Sequence, residues 1–579
     1  MHKYSLQDGA ACALKDLLNR TRHEIPDEVI AKTHEVKFHS IEGDGRISTP
    51  CPFKETEAVS ALKAVEAASV AAIADLRYGA ESRKITIDLE RAICFLFAAY
   101  ICEIDGMNKA HPDVKSKLID TDLLQAQSIL YRRLSANLYE TRTPGEYFHL
   151  HGSLEATKAL NMIGLEGHRP DMTDYHDAIN LIERHVQMFT AAELEKLNAE
   201  KQQAGVTCLK WEDFKKTSYG ESKLEQGPWL IEKLETATPP VPFTSVRKAR
   251  GKLRPLAGVR VIEMCRIIAG PAIGRTLAEY GADVIKITPP HLSDVPFFQV
   301  DGNMGKHTLS LDLRKPEDRS EFDSLLSTAD VFLDGYRPGS LSRLGYGYEF
   351  LSSLAVSRGR GIVCISESCF GAIPPSSETS ASEEAKAWAQ RPGWQQIADC
   401  VSGVAWAQGT EFMDLDEPVV PPFPMSDYGT GCAGAIAALT GLYNRATKGG
   451  SWWGGVSLVG YDVYLMGLGL YEPQVLKPLK EEFREAGFFG AGAGGLRHND
   501  SVDEVGKRAL KAMRERRRGL FNADNCHEAY SEPYNAKVKY VKSAVRIEGV
   551  GIGFDRMTRP NGHDKGGWSG WDFSEGLIE

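Results

Sequence analysis

Residues 258–287, GVRVIEMCRIIAGPAIGRTLAEYGADVIKI, narrow the possible folds more than any other stretch of the chain. Val259, Val261 and Ile262 form a short apolar run of the kind a buried strand shows. Ala269-Gly270-Pro271 reads as a turn, after which Ile273, Leu277 and Tyr280 recur on one helical face. Gly281-Ala282 ends that helix, and Val284-Ile285-Lys286-Ile287 reads as a second strand. Two strands joined by a crossover helix run parallel, so the stretch predicts a βαβ unit and a parallel sheet. A nicotinamide enzyme would carry G-x-G-x-x-G at this turn and an acid near the end of the second strand. Only Gly270 and Gly274 are present, and the strand runs into Thr288-Pro289-Pro290. The expected class is therefore α/β with a Rossmann-like parallel sheet that lacks the dinucleotide fingerprint.

At 579 residues the chain exceeds one typical core, so several domains are expected. A formal charge of −10 argues against a general nucleic-acid binder. No 18-residue apolar run marks a membrane span. The N-terminus lacks a secretory pattern, and Gly-Leu-Ile-Glu is not a peroxisomal tripeptide. The 11 cysteines are scattered without a C-x-x-C pair. That pattern fits reduced, mostly buried thiols, so the expected location is cytoplasmic. No zinc spacing occurs. His149 and His151 share one face of a predicted strand, but no third ligand lies nearby in sequence, so no metal is expected.

Composition divides the chain into an N-terminal segment (1–50), a first half (51–240), a Pro-rich then basic linker (241–257), a large βα-alternating region (258–475) and a C-terminal extension (476–579). In the first half, 54–79 is an Ala-rich helix pattern and 84–89 an alternating strand. Residues 52–89 and 422–459 share an order: a Pro-Phe turn, an Ala-rich helix, a polar turn and a strand. Ile85-Thr86-Ile87 parallels Val456-Ser457-Leu458, and Thr56 or Glu57 falls opposite Asp427. Either a half-domain is duplicated, or two common helix–strand units coincide.

Asp427 precedes the helix pattern 432–443. The plain reading is an N-cap, accepting hydrogen bonds from free helix amides. The functional reading uses the same field: a helix start stabilises a carboxylate and any oxyanion developing beside it. Gly429 and Gly431 would let a substrate carbonyl approach, and a carboxylate so placed attacks an activated acyl group. Lys306 precedes a predicted strand, and Tyr336 and Arg337 follow another, with Arg343 beyond. These cations either meet phosphates or sit solvated on the surface. The formal G-x-G-x-x-G at 490–495 follows a charged helix rather than a strand, which makes it a loop.

These pieces occur together in one family. Residues 258–287, with NMGKHTLSLDLRKPEDR, ADVFLDGYRPGSLSRLGYGYEFL, GIVCISESCFG, RPGWQQIADCVSG and MSDYGTGCAGAIAALTGLYNR, resemble the family III CoA-transferases of the CaiB/BaiF superfamily over about 255–467. Residues 147–165 and 191–229 resemble family pieces normally found after the large domain. The resemblance implies a large domain at 258–475, a smaller mixed α/β domain, a half-copy at 51–240 and an extension that completes the fold. It also implies a mechanism in which Asp427 attacks an acyl-CoA thioester, forms a mixed anhydride and then an aspartyl-CoA thioester, and passes CoA to a carboxylic acid. Coenzyme A is then a substrate and no cofactor is permanently bound. Ala269, Gly270, Pro271, Lys306, Tyr336, Arg337, Arg343 and Trp394 become CoA or substrate contacts. The expected partners are an acyl-CoA and a small carboxylic acid, with no nucleic acid or membrane, and a homodimer unless the fused half supplies its contacts. The family's α-methylacyl-CoA racemases place a His where Trp394 stands, and a Trp cannot exchange the proton. A racemase or isomerase and a catalytically silent binding protein remain the alternatives. Met304, Gly335 and Thr288-Pro289-Pro290 depart from the family pattern.

Overall fold

The computed structural model describes residues 4–41, 46–243, 248–490 and 494–578. Its centre is a seven-stranded sheet. In chain order the strands are β1 (Trp229–Glu235), β2 (Arg260–Met264), β3 (Asp283–Thr288), β4 (His307–Ser310), β5 (Val331–Asp334), β6 (Val363–Ser368) and β7 (Ser451–Ser457). Their spatial order is β4-β3-β2-β5-β6-β7-β1. All neighbours pair in parallel except β1, which joins the edge antiparallel to β7. The predicted βαβ unit is β2, helix Ala269–Glu279 and β3, with Val261 beside Val284 and Ile262 beside Ile285. Ala269-Gly270-Pro271 is thus the first turn of that helix rather than a turn before it.

The strands are apolar on both faces because helices cover both. Side chains alternate between two cores, as the period of a strand requires. Val261, Val284, Val331, Leu333, Val363 and Ile365 face one. Ile262, Ile285, Ile287, Phe332, Cys364 and Trp453 face the other.

Two long helices pack together on the first face. They are α1 (Glu55–Tyr78) and α2 (Met425–Lys448), each of 24 residues. The parallel between 52–89 and 422–459 persists in the backbone. The residues before the two helices have almost the same conformation, Lys54 at φ −81, ψ 54 and Pro424 at φ −77, ψ 54. Each helix ends at a glycine with positive φ, Gly79 or Gly449. Each is followed by a strand and then a short helix capped by a side chain, Asp88 in one case and Ser457 in the other.

A smaller antiparallel sheet, Ala136–Glu140, Tyr147–His151 and Ala204–Thr207, carries its own core with helices Ala156–Met162, Tyr175–Val186 and Ala191–Lys201. The C-terminal extension returns to the first half. Val545–Ile547 pairs with Ile85–Asp88, and Ala536–Val541 with Glu103–Ile104. The latter part of the expected linker is held in place: Lys248–Ala249 and Lys252–Leu253 form a hairpin. Arg254 beyond it is fully buried and donates to the carbonyls of Glu279, Gly551 and Gly553. Residues 491–493 of the glycine loop lie outside the described residues.

Candidate active site

Strand order reverses between β2 and β5, and at such a point loops leave the carboxyl ends of neighbouring strands in opposite directions, opening a crevice. A cavity of about 280 Å³ occupies this crevice. Arg266 to Ala269 line it after β2, His291 to Ser293 after β3, Gly335 to Pro338 after β5, and Glu367 to Cys369 at the end of β6. The smaller domain closes it with Ser153, Leu154 and Glu155. One wall residue is strained: Ile267 is β-branched yet sits at φ +70.

Asp427 forms part of this wall. Its helix begins at Met425, seven residues before the pattern suggested, so Asp427 lies in the first turn and is not the N-cap. The early start has a packing cause, because Gly429 and Gly431 let the helix begin against its neighbours. A Cβ on Gly429 would fall 2.1 Å from the Tyr461 ring, and one on Gly431 2.5 Å from Ala272 Cβ. Burial pushes the Asp427 carboxyl up to about 7, with no cation or hydrogen-bond donor to offset it. Behind it lies a set of buried acids. Ser426 donates to Asp399 (3.0 Å) and Ser402 to Asp462 (3.1 Å), and both carboxyls are held well above the usual range by burial, Asp399 also by the Asp462 charge and Asp462 by that of Glu55. Glu367 and Asp334, at the ends of β6 and β5, are also raised by burial, to about 8 and about 7.

Cations gather at the cavity wall instead. Arg266 donates to the Ser293 carbonyl (2.7 Å) and lies over the Tyr336 ring. Arg337 is exposed. Arg391 pairs with Glu195 of the smaller domain (2.7 Å). The Trp394 indole N–H donates to Ser153 Oγ (2.9 Å), and its ring stacks on His151 at 5.4 Å. His151 Nδ1 accepts from the Ser153 amide, and burial keeps His149 and His151 neutral. No group of three or more metal-ligating side chains occurs among the described residues. Nor is any helix among them long and apolar enough to cross a membrane.

Of the residues singled out from the sequence, Asp427, Ala269, Tyr336, Arg337 and Trp394 meet at this cavity. Gly270 packs its backbone against Cys265, and the Pro271 carbonyl faces inward. Lys306 and Arg343 do not line the cavity. Lys306 is completely buried, donating to Glu263 (2.6 Å) and to the Pro271 carbonyl (2.7 Å). The charge of Glu263, set inside β2, requires that counterion. Arg343 is exposed and donates to Ser340 Oγ (3.2 Å). Sequence reasoning missed Arg266, Arg391, Ser153 and Glu367. An acid at the carboxyl end of an apolar strand was the available signal for Glu367. For Ser153 there was none, since its place depends on domain packing.

A family profile, CoA-transferase family III, matches residues 256–477. The "Acetyl-coenzyme A transferase nodX" of Hypoxylon pulicicidum is 32% identical over 448 residues, covering 75% of this chain and 73% of that protein. An "Acyl-CoA transferase" of Gibberella moniliformis is 34% identical over 457 residues, covering 77% of each. A solved CAIB/BAIF family protein from Brucella suis is 26% identical and aligns over 37% of this chain and 55% of its own, with a TM-score of 0.30. With a profile match over 256–477 and two relatives above 30% identity that each span about three quarters of this chain, the chain belongs to CoA-transferase family III.

Proposed function

We propose that the protein is a CoA-transferase that moves CoA from an acyl-CoA donor to a carboxylic acid, with Asp427 as the nucleophile. The observation that carries this reading is an unpaired carboxyl near pH 7, in the first turn of a long helix, facing a cavity at the switch point of a parallel sheet. Such a carboxylate is ionised in part at neutral pH and carries little stabilising solvation, so it is reactive toward a thioester carbon. Attack gives a mixed anhydride and frees CoA. Return of CoA to the aspartyl carbonyl gives an aspartyl-CoA thioester, and the acceptor carboxylate repeats the sequence in reverse. The reactants and products are acyl derivatives of similar energy, so the protein's work is positioning and exclusion of water.

Arg266, Arg337 and His291 are placed to meet CoA phosphates at the mouth. The first turn of helix Ala269–Glu279 presents Ala269 to the cavity, where helix-start amides favour negative charge. Both the sheet side and the covering side of the cavity come from one chain, so the fused half supplies contacts that a second chain would otherwise bring. CoA enters as a substrate. Trp394, whose N–H is committed to Ser153, supplies no proton-transfer partner for a racemase.

The test is chemical trapping. Incubation with acetyl-CoA or succinyl-CoA followed by hydroxylamine should convert Asp427 to a hydroxamate, read by peptide mass. An unmodified Asp427 across a broad acyl-CoA panel would sink the reading, and deuterium wash-in at the α-carbon without acyl exchange would replace it with isomerisation.

A further inference from the structure

Glu367 ends β6 and shares the cavity wall with Asp427. Its carboxyl has a built seat. A Cβ on Gly335 would fall 3.0 Å from Oε2 and one on Gly270 3.5 Å, so two glycines, one after β5 and one at the head of helix Ala269–Glu279, make room for it. The groups facing it from each neighbouring element are Cys265 after β2, Asp334 from β5, Cys369 after β6 and Asp427 from α2. None is a cation. Lys306 is committed to Glu263, Arg391 to Glu195, and Arg266 to the Ser293 carbonyl. Arg337, on the same cavity wall, donates to the Gln202 carbonyl (3.4 Å), and among the described residues no ion pair reaches Glu367 or Asp427, so the two carboxyl groups cannot both ionise readily and a proton stays with the pair. Burial and the Asp427 and Asp334 charges hold Glu367 near 8, above Asp427 near 7. The Asp427 and Asp334 charges both raise Glu367, which makes it the group to hold the shared proton while Asp427 attacks.

We propose that Glu367 is a second catalytic residue: the general acid that protonates the departing CoA thiolate, and the general base that takes the proton back when the thiol returns. This rests on the reading of Asp427 as nucleophile. In the first step an Asp427 oxygen bonds to the acyl carbon. The C–S bond breaks with its electron pair on sulfur, and the Glu367 proton moves to sulfur. The products are the anhydride, CoA thiol and the Glu367 carboxylate. In the second step Glu367 removes the S–H proton as sulfur attacks the aspartyl carbonyl. The C–O bond of the anhydride breaks, and the donor acid leaves as a carboxylate. The acceptor half repeats both steps, so no proton enters or leaves overall. A thiol of ordinary pKa about 8.5 and an acid near 8 are closely matched, the condition under which proton transfer has little driving-force penalty.

Glu367→Gln keeps the shape but cannot exchange a proton. In the full-length protein, with acetyl-CoA and with succinyl-CoA as donors against labelled CoA, it should lower the exchange kcat on the order of 10²-fold or more while KM changes by less than about threefold. The pH profile separates this role from a structural one. Wild type should rise through about pH 7 as Asp427 ionises and fall above about pH 8 as Glu367 loses its proton. The Gln variant should keep the rise and lose the fall. Glu367→Asp should recover part of kcat and the falling limb, which also guards against misfolding of the Gln variant. Unchanged kcat in Glu367→Gln, or a fall above pH 8 that persists in it, overturns the proposal. Hydroxylamine trapping separates the two readings: a slow Asp427 adduct in Glu367→Gln leaves the nucleophile standing, whereas no adduct in wild type removes both.

Discussion

The two long helices begin alike but meet different surroundings. Asp427 is the third residue of α2, and Glu57 is the third residue of α1. Both are acids in a first turn, and burial raises both. Around Glu57, however, the space is filled. It is 0% exposed, and the phenols of Tyr4 (2.7 Å) and Tyr471 (2.9 Å) donate to its two oxygens. Helix Leu6–Arg20 presses close enough that a Cβ on Gly9 would fall 2.9 Å from Glu57 Cγ. Asp427 has a cavity where Glu57 has tyrosines. The helix start therefore does not by itself make a nucleophile. Room beside an unpaired carboxyl is what supports the role proposed for Asp427.

The largest expected difference is in activity. Asp427→Asn should reduce CoA transfer at least about 10³-fold, measured by exchange of labelled CoA, because the proposed nucleophile is gone. Glu57→Gln should leave kcat within about twofold if it remains folded by circular dichroism. A folded but inactive Glu57→Gln would end the contrast between the two sides.

Next in size is the support beneath the open side. Lys306→Met removes the direct ion-pair partner of buried Glu263, leaving only the more indirect charge of Lys286, and should cost about 3–5 kcal/mol in denaturant unfolding. Adding Glu263→Leu should recover most of that loss. On the closed side, Tyr4→Phe with Tyr471→Phe removes both donors to Glu57 and should cost about 2–4 kcal/mol with activity retained. Appearance of a hydroxylamine-sensitive acyl group on Glu57 in that double variant would show the closed side to be chemically competent once emptied.

Smaller effects follow at the cavity mouth. Arg337→Ala should raise KM for acyl-CoA about 3–10-fold with kcat nearly unchanged, as loss of an exposed phosphate contact would. The smallest is a pH-dependent stability. Asp427 rises from an ordinary 3.8 to about 7, so the folded state holds the proton more tightly than the unfolded chain does. Its stabilising effect is full below about pH 4 and is lost as pH rises through 7. Asp427→Asn should therefore melt higher than wild type above pH 7, by on the order of 1 °C. Near pH 4 the two should melt together.

Much of the fold was legible. The apolar runs at 259–262, 284–287, 331–333 and 362–365 all became central strands, because a parallel strand buried on both faces needs continuous apolar residues. The Ala-rich patterns at 54–79 and around 432 became the paired helices, though the second starts at Met425 because packing room at Gly429 and Gly431 extends it. The cations were read less well. Lys306 and Arg337 look alike as basic loop residues, yet one neutralises an acid inside the sheet and the other stands in solvent. Local pattern carries no information on which strand's acid a lysine will meet.

Residue order alone thus settled the parallel sheet, its missing dinucleotide fingerprint and Asp427 as the acid to watch, since periodicity and glycine spacing act over a few neighbouring residues. Packing settled the rest. It set Glu367 and Asp427 on one cavity wall with no ion pair to either among the described residues, brought Ser153 over the cavity from a distant segment, and sealed Glu57 with tyrosines from two distant segments. These facts depend on burial and on charges meeting across hundreds of residues, and desolvation acts on a carboxyl only where the folded chain has closed around it.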